Sequence, residues 1–420
     1  MVRMIDTSIP VLVLKSVGHG GLCIARSLGR IGVPVYVADP DRATPVFCSH
    51  YCRGRFIFDI DKVFPQKSVW DLLGFAQEIG REAILLPTTD DAAMFVAEHA
   101  EELREGFRLP RLSPALARGL CSKKEMYHLA KQHGVPTPEA VFPQSRTDVL
   151  EFRERAVFPV MLKGIDGRRL WERAGKRMFI IRGGDELLEK YDALEDPADP
   201  NLMLQEYIPG GEDAVWMFNG YFDDRSECLV SLTGKKIRQC PAYRGATSLG
   251  ICLRNAAVER ITKDFMKALG YQGPLDIGYR YDARDGLYKV LDVNPRIGAT
   301  FRLFVTRNGM DVARALYLHL TGQPLAPDAA SEGRKWLVED LDTASSFRYW
   351  RDGKLNAREW LESFRGVEET AYFSADDLLP VVRMIANGIE ELSKRLCREA
   401  RMAAFGRSPQ PLPVRSVAKT

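Results

Sequence analysis

The chain has 420 residues, with 59 Lys and Arg against 56 Asp and Glu, and 45% of it is hydrophobic. At roughly 100 to 200 residues per domain, that length predicts two to four domains, each able to bury its own core. A net charge of +3 gives no ground for a nucleic-acid footprint, and no apolar run approaches the ~18 residues of a membrane span, so a small-molecule partner without nucleic acid or membrane is expected.

The apolar stretch near the start is too short to read as a signal peptide, so a cytoplasmic location is expected. The eight cysteines are scattered, contain no C-x-x-C, and have no histidine at zinc spacing. They read as free thiols.

In chain order, Val11 to Leu14 reads as a strand, Gly18-His19-Gly20-Gly21 as a glycine turn, and Leu22, Ala25, Leu28 and Ile31 as one face of a helix. A second strand, Val33 to Ala38, ends at Asp39, and a third spans Ile84 to Leu86. Pro87-Thr88-Thr89-Asp90 then leads into a helix from Ala92 to Leu103, with Asp90 and Asp91 read as caps. Residues 1–115 therefore predict an α/β layer over a parallel sheet.

A helix capped at Ser122 runs to His133 and stops at Gly134-Val135-Pro136-Thr137-Pro138. Strands dominate beyond it, at 159–163, 177–181, 202–207, 214–218, 228–232, 275–282 and 288–294. Helices are expected near 185–194, 256–269 and 310–320. This mixture predicts an α+β region over 116–325. A C-terminal extension, 326–406, carries Leu378, Val382, Ile385, Ile389, Leu392 and Leu396 on one helical face, too few heptads for a coiled coil, which predicts a helix packed on its own domain, with a dimer seam as the alternative. Residues 407–420 lack periodicity and are expected to be disordered.

The stretch Val290-Leu291-Asp292-Val293-Asn294-Pro295-Arg296 carries the strongest chemical signal. Strand alternation points Asp292 and Asn294 to one face and Leu291 and Val293 to the core. Asp276, on the strand Leu275-Asp276-Ile277-Gly278-Tyr279, can lie alongside. Oxygen donors of this kind, combined with phosphates, suit Mg²⁺. Lys163 ends an apolar strand before Gly164-Ile165-Asp166-Gly167, a placement suited to phosphate, and Lys176 opens the next strand. Gln205-Glu206-Tyr207-Ile208 runs from a strand into Pro209-Gly210-Gly211-Glu212, where exposed backbone can meet an adenine edge and Glu212 a ribose.

The ordered set Lys123, Gly-Val-Pro-Thr-Pro, Lys163, Lys176, Gln205-Glu206-Tyr207-Ile208, Glu212, Asp276 and Asp292-Val293-Asn294-Pro295-Arg296 resembles the ATP-grasp superfamily of carboxylate-amine ligases. Within it, the resemblance is to the D-aspartate ligase-like branch. It implies a mixed α/β and α+β chain: an ATP-grasp fold of two α+β lobes behind an N-terminal Rossmann-like domain, with ATP between the lobes. Lys123 and Lys163 would contact phosphates, and Lys176 would lie near a flexible glycine-containing loop, Gly164 to Gly175.

By the same resemblance, Gln205, Glu206 and Ile208 would form the adenine hinge and Glu212 would hold the ribose. Asp276, Asp292 and Asn294 would bind Mg²⁺, with Mn²⁺ as an alternative, and Arg296 and Arg238 would stabilise an acyl phosphate. The implied substrates are a small carboxylate and an amino-acid-like amine, handled by a monomer or homodimer. Gly18, His19 and Gly20 are candidate substrate contacts.

Two other readings compete. One is a nucleotide-binding sensor without turnover. The other is an NAD-binding oxidoreductase, suggested by Gly18-His19-Gly20 and Asp39, but Cys23 occupies the place of the third fingerprint glycine.

Overall fold

The computed structural model describes residues 5–16 and 18–404, so the expectation for 407–420 lies outside the described residues. The chain divides into two compact units, Met1–Pro138 with Ile208–Val381, and Glu139–Tyr207 with the segment from Val382 on.

The larger unit opens on a five-stranded sheet in the order β3-β2-β1-β4-β5, formed by β1 (Val11–Leu14), β2 (Val35–Asp39), β3 (Cys52–Ile57), β4 (Ala83–Pro87) and β5 (Phe107–Arg108). Every neighbouring pair is parallel. The apolar run of β1 places it at the centre, where all four residues are at most 1% exposed. The edge strand β3 had no sequence signal, because its alternation points Arg53 and Arg55 outward. Leu12, Leu14, Leu72, Leu85, Val96 and Phe107 share the core beneath this sheet.

The smaller unit contains the antiparallel sheet β6-β9-β7-β8, built from β6 (Ala140–Val141), β7 (Val160–Gly164), β8 (Met178–Ile181) and β9 (Leu202–Glu206). Val160, Leu162, Ile181, Leu202 and Leu204 form its core with Leu170 and Leu187. The expected loop from Gly164 to Gly175 is instead mostly a helix, Gly167–Ala174. Asp166 caps it by accepting from the N–H groups of Arg168 and Arg169, and Gly175 ends it at φ +64°.

A seven-stranded sheet completes the larger unit. Its strands are β10 (Val215–Phe222), β11 (Cys228–Cys240), β12 (Ala246–Cys252), β13 (Gly273–Asp282), β14 (Leu287–Asn294), β15 (Lys335–Leu337) and β16 (Val367–Thr370), in the order β14-β13-β10-β11-β12-β15-β16. All pairs are antiparallel except β15–β16. Phe218, Phe222, Phe265, Tyr279, Val290 and Val293 pack on one face.

The alternation expected along β14 breaks at Leu291. Gly278 pairs with Asp292 but Tyr279 with Val290, so Leu291 is an extra residue with no partner in the register. Val290 is buried in its place, and Leu291 stays partly exposed.

The C-terminal segment joins the large sheet through β15 and β16. It is tied to the first helix, Gly20–Gly29, by the buried pair Arg26–Asp377 at 2.9 Å. The terminal helix, Leu379–Ala404, departs from expectation. Its apolar stripe is not packed away: Leu378, Val382, Ile385, Ile389, Leu392 and Leu396 are each 52–64% exposed.

Candidate active site

The register of β13 and β14 sets Asp276 directly opposite Asn294, and Gly278 opposite Asp292. Asn294 Nδ2 donates to the Asp276 carbonyl and to Asp292 Oδ2, both at 3.2 Å. Glycine at 278 leaves room for the carboxylate, since a Cβ there would lie 2.5 Å from Asp292 Oδ1. On the other side of β13, Asn219 of β10 faces Asp276. Adjacent strands thus crowd two carboxylates and two amides together, and the Asp276 carboxyl is pushed up to about 6. Burial is the main cause and the Asp292 charge adds to it, while Arg296, Lys236 and Asn219 oppose.

Lys236 on β11 is the cation that sequence reasoning passed over. Burial holds its ammonium below the usual lysine range, with Asp292 and Asp276 opposing that shift, and its Nζ donates to the Gly245 carbonyl at 3.0 Å. The Lys235-Lys236 pair was visible in the sequence, but nothing local told which lysine faces the carboxylates. Lys235 instead lies over the Trp216 ring at 4.6 Å.

Arg296 follows β14 and donates from Nε to Asp90 Oδ1 at 2.7 Å and from a terminal nitrogen to Asn294 Oδ1 at 3.3 Å. The expectation that Asp90 caps its helix therefore gives way: Thr89 is the cap, accepting from Ala92, and Asp90 orients Arg296.

Arg238 does not join this group. It is 4% exposed, pairs with Asp342 through Nε at 2.8 Å and a terminal nitrogen at 2.9 Å, and donates to Ser363 Oγ. Its guanidinium lies 5.6 Å from the Phe364 ring centre, so it anchors the C-terminal segment, and the expected acyl-phosphate role is corrected to a structural one.

Glu212 stands in a short 3₁₀ turn and accepts a 2.6 Å hydrogen bond from Tyr349 Oη. Tyr349 Oη in turn accepts from the N–H of Tyr243 at 3.0 Å. Tyr349 comes from the helix Glu339–Arg351, 137 residues away, a distance no motif spans. Ile208 is buried, and its carbonyl accepts from Arg280 Nε at 2.9 Å. Lys123 opens the helix Lys123–Gln132 behind its Ser122 cap.

The glycine turn lies inside the unit. Gly18 has φ +61°, which suits glycine, and His19 is the N-cap residue of the first helix. The His19 ring is 6% exposed, 5.1 Å from Trp336 and 6.0 Å from Tyr372, centre to centre. Burial lowers its pKa to about 4, with a hydrogen bond to the Ala299 backbone opposing, so the imidazole is neutral at pH 7. Gly20 also packs on Ala299, whose Cα would be 3.5 Å from an added Cβ. The expected substrate contact is thus corrected for His19: its ring is part of the core.

In the smaller unit, Lys163 Nζ donates to Gln205 Oε1 at 2.5 Å, which turns the Gln205 side chain onto the lysine. Glu206 pairs back on Glu139, donating its N–H to that carbonyl at 2.8 Å and accepting from that N–H at 3.2 Å. The Lys176 ammonium lies 5.4 Å from the Phe179 ring centre.

No protein-family model matches the chain. A D-aspartate ligase from Enterococcus faecium is 25% identical over 274 residues, covering 61% of this chain and 63% of the ligase. The chain thus spans less than two thirds of that relative's length. Among solved structures, an N5-carboxyaminoimidazole ribonucleotide synthetase in its ADP complex superposes with a TM-score of 0.61 at 13% identity, over 80% of this chain and 82% of the other.

The chain shares the ATP-grasp fold of that synthetase. A further ATP-grasp structure, the biotin carboxylase domain of Hydrogenobacter thermophilus 2-oxoglutarate carboxylase with MgADP, superposes at 0.57 with 16% identity, over 77% of this chain and 72% of the other. Among the described residues no helix is long and apolar enough to cross a membrane, and no three His, Cys, Asp or Glu side chains cluster to hold a metal. The oxygen set on β13 and β14 has two carboxylates and one amide. Hard oxygen donors around an excess of negative charge fit Mg²⁺, which keeps waters and phosphate oxygens as its remaining ligands.

Proposed function

We propose that this ATP-grasp protein is an ATP-dependent ligase that joins a small carboxylate to an amino-acid-like amine through an acyl phosphate, releasing ADP and phosphate. One observation carries the reading: strand register places Asp276, Asp292 and Asn294 together, with Lys236 and Arg296 as the cations beside them. The resemblance to D-aspartate ligase supports an amino-acid-like substrate.

Direct attack of an amine on a carboxylate fails because the oxide is a poor leaving group, and phosphorylation replaces it with a good one. Mg²⁺, when bound, would neutralise the phosphate oxygens and act as a Lewis acid. Asp276, Asp292 and the Asn294 amide oxygen would hold it. Arg296, kept in place by Asp90, supplies a fixed positive charge for the oxygens that gain negative charge, and Lys236 does the same from β11. Glu212, oriented by Tyr349, would accept ribose hydroxyls. Lys163, Lys176 and Lys123 are assigned to phosphate, Gln205, Glu206 and Ile208 to adenine, and Mn²⁺ is a substitute metal to be tested. We assign nucleotide handling to residues 116–325, the N-terminal layer to 1–115, and a cytoplasmic location to the protein.

The test is ADP release across paired small carboxylates and amino acids, with mass spectrometry of the product. An amide product formed with ADP, and lost in Asp292→Asn, supports the ligase. Nucleotide binding with no ADP under any pairing would point to a sensor.

A further inference from the structure

We infer that the terminal helix, Leu379–Ala404, is a self-pairing element whose apolar stripe is covered by the same helix of a second copy, running antiparallel. The helix is oriented opposite to the usual amphipathic arrangement. Arg383 and Asn387 on its polar side are half-buried, while the five aliphatic residues on the other side, and Leu378 just before the helix, are 52–64% exposed. Isolated exposed leucines are ordinary, but five aliphatic residues in one line on one helix, extended by Leu378 just ahead of its first turn, form a contiguous patch, which marks an interaction site.

The spacing identifies the occupant. From Leu378 to Leu396 the steps are four, three, four, three and four, the a/d seam of a coiled coil. This series reads the same from either end. A two-fold axis at position 387 therefore sets Leu378 against Leu396 of the second copy, Val382 against Leu392, and Ile385 against Ile389. Each surface meets its own complement, as an isologous contact requires. Burying six such side chains on each copy removes roughly 1,200 Å² in total, the lower end of a stable specific interface.

The flanks agree. At 100° per residue, Val381, Ala386, Gly388 and Ser393 border the stripe, whereas Arg383, Glu391 and Lys394 project from the far side. Pairing thus requires no charge to be desolvated. Gly388 weakens the helix interior, and nothing in its own chain calls for it, since a Cβ there would meet open space. A second helix crossing at position 387 supplies the reason, because small residues beside the axis let two backbones approach. A lipid surface is the less suitable occupant, since the polar side mixes Glu390 and Glu391 with Arg383 and Lys394 instead of being uniformly basic.

The experiment is sedimentation velocity of the full chain from 1 to about 50 µM, the range in which an interface of this size is populated. The expected species has twice the 47.3 kDa chain mass. Ile385→Asp combined with Ile389→Asp should weaken association at least 100-fold with an unchanged thermal midpoint, and Gly388→Leu at least tenfold. Glu390→Ala, away from the seam, should remain dimeric. On a Cys397→Ser background, Ile385→Cys and Ile389→Cys proteins should form disulfide-linked dimers when mixed but not alone. A monomeric wild type, a dimer indifferent to the paired aspartates, crosslinking of Ile385→Cys with itself, or a monomer that floats with anionic vesicles would each overturn the proposal.

Discussion

The β13–β14 pair and the Gly18–Gly20 turn both present glycine beside a polar side chain, yet their surroundings differ. On the strand pair, ladder hydrogen bonding forces Asp276, Asp292 and Asn294 into proximity, and like charge remains only partly offset by Lys236 and Arg296. At the turn, the His19 ring lies between Trp336 and Tyr372 and is neutral. Uncompensated charge held in place by backbone registry is the mark of a site, whereas a polar group neutralised by burial is a packing element.

The sharpest way to break that comparison is to remove charge from the strand pair. Asp292→Asn should reduce ADP release at least 10³-fold, about 4 kcal/mol of barrier, while the melting midpoint holds or rises slightly as repulsion with Asp276 is relieved. A large loss of stability with activity retained would reverse the assignment. Arg238 belongs to the packing side. Arg238→Met leaves the buried Asp342 carboxylate unpaired and should cost about 3–5 kcal/mol in urea unfolding.

His19 gives a pH signature. Burial brings its folded pKa to about 4, below the ordinary imidazole value of 6.5, so the unfolded chain binds more protons between those values. Stability should fall as pH drops from 6.5 toward 4, by up to about 3 kcal/mol, and level off below. His19→Phe should flatten that part of the profile, read from urea titrations at pH 7 and pH 5. Smallest is Tyr349→Phe, which removes one donor to Glu212. The KM for ATP should rise about fivefold, near 1 kcal/mol, with kcat within a factor of two.

The local parts of this molecule were legible in its sequence. The strand read over 275–282 matches β13, the apolar run at 159–163 located β7, and the Ser122 cap located the helix of Lys123. What escaped depends on pairing at long range. The bulge at Leu291 becomes visible only against Tyr279, the choice between Lys235 and Lys236 only against Asp292 and Trp216, and Tyr349 only beside Glu212. His19 misled for the same reason, since Trp336, the residue that buries it, lies more than 300 positions along the chain.

The pairing of β15 with β12 carries a practical consequence. Residues 335–337 supply the hydrogen-bonding neighbour of Leu249, Gly250 and Ile251. Trimming the chain near residue 325, where its texture changes, would strip that strand away. Three apolar-flanked backbone positions of β12 would then be left as an open template for another chain. The extension is a selvedge that keeps the fabric of the large sheet from unravelling, and a shortened protein should be recovered as aggregate.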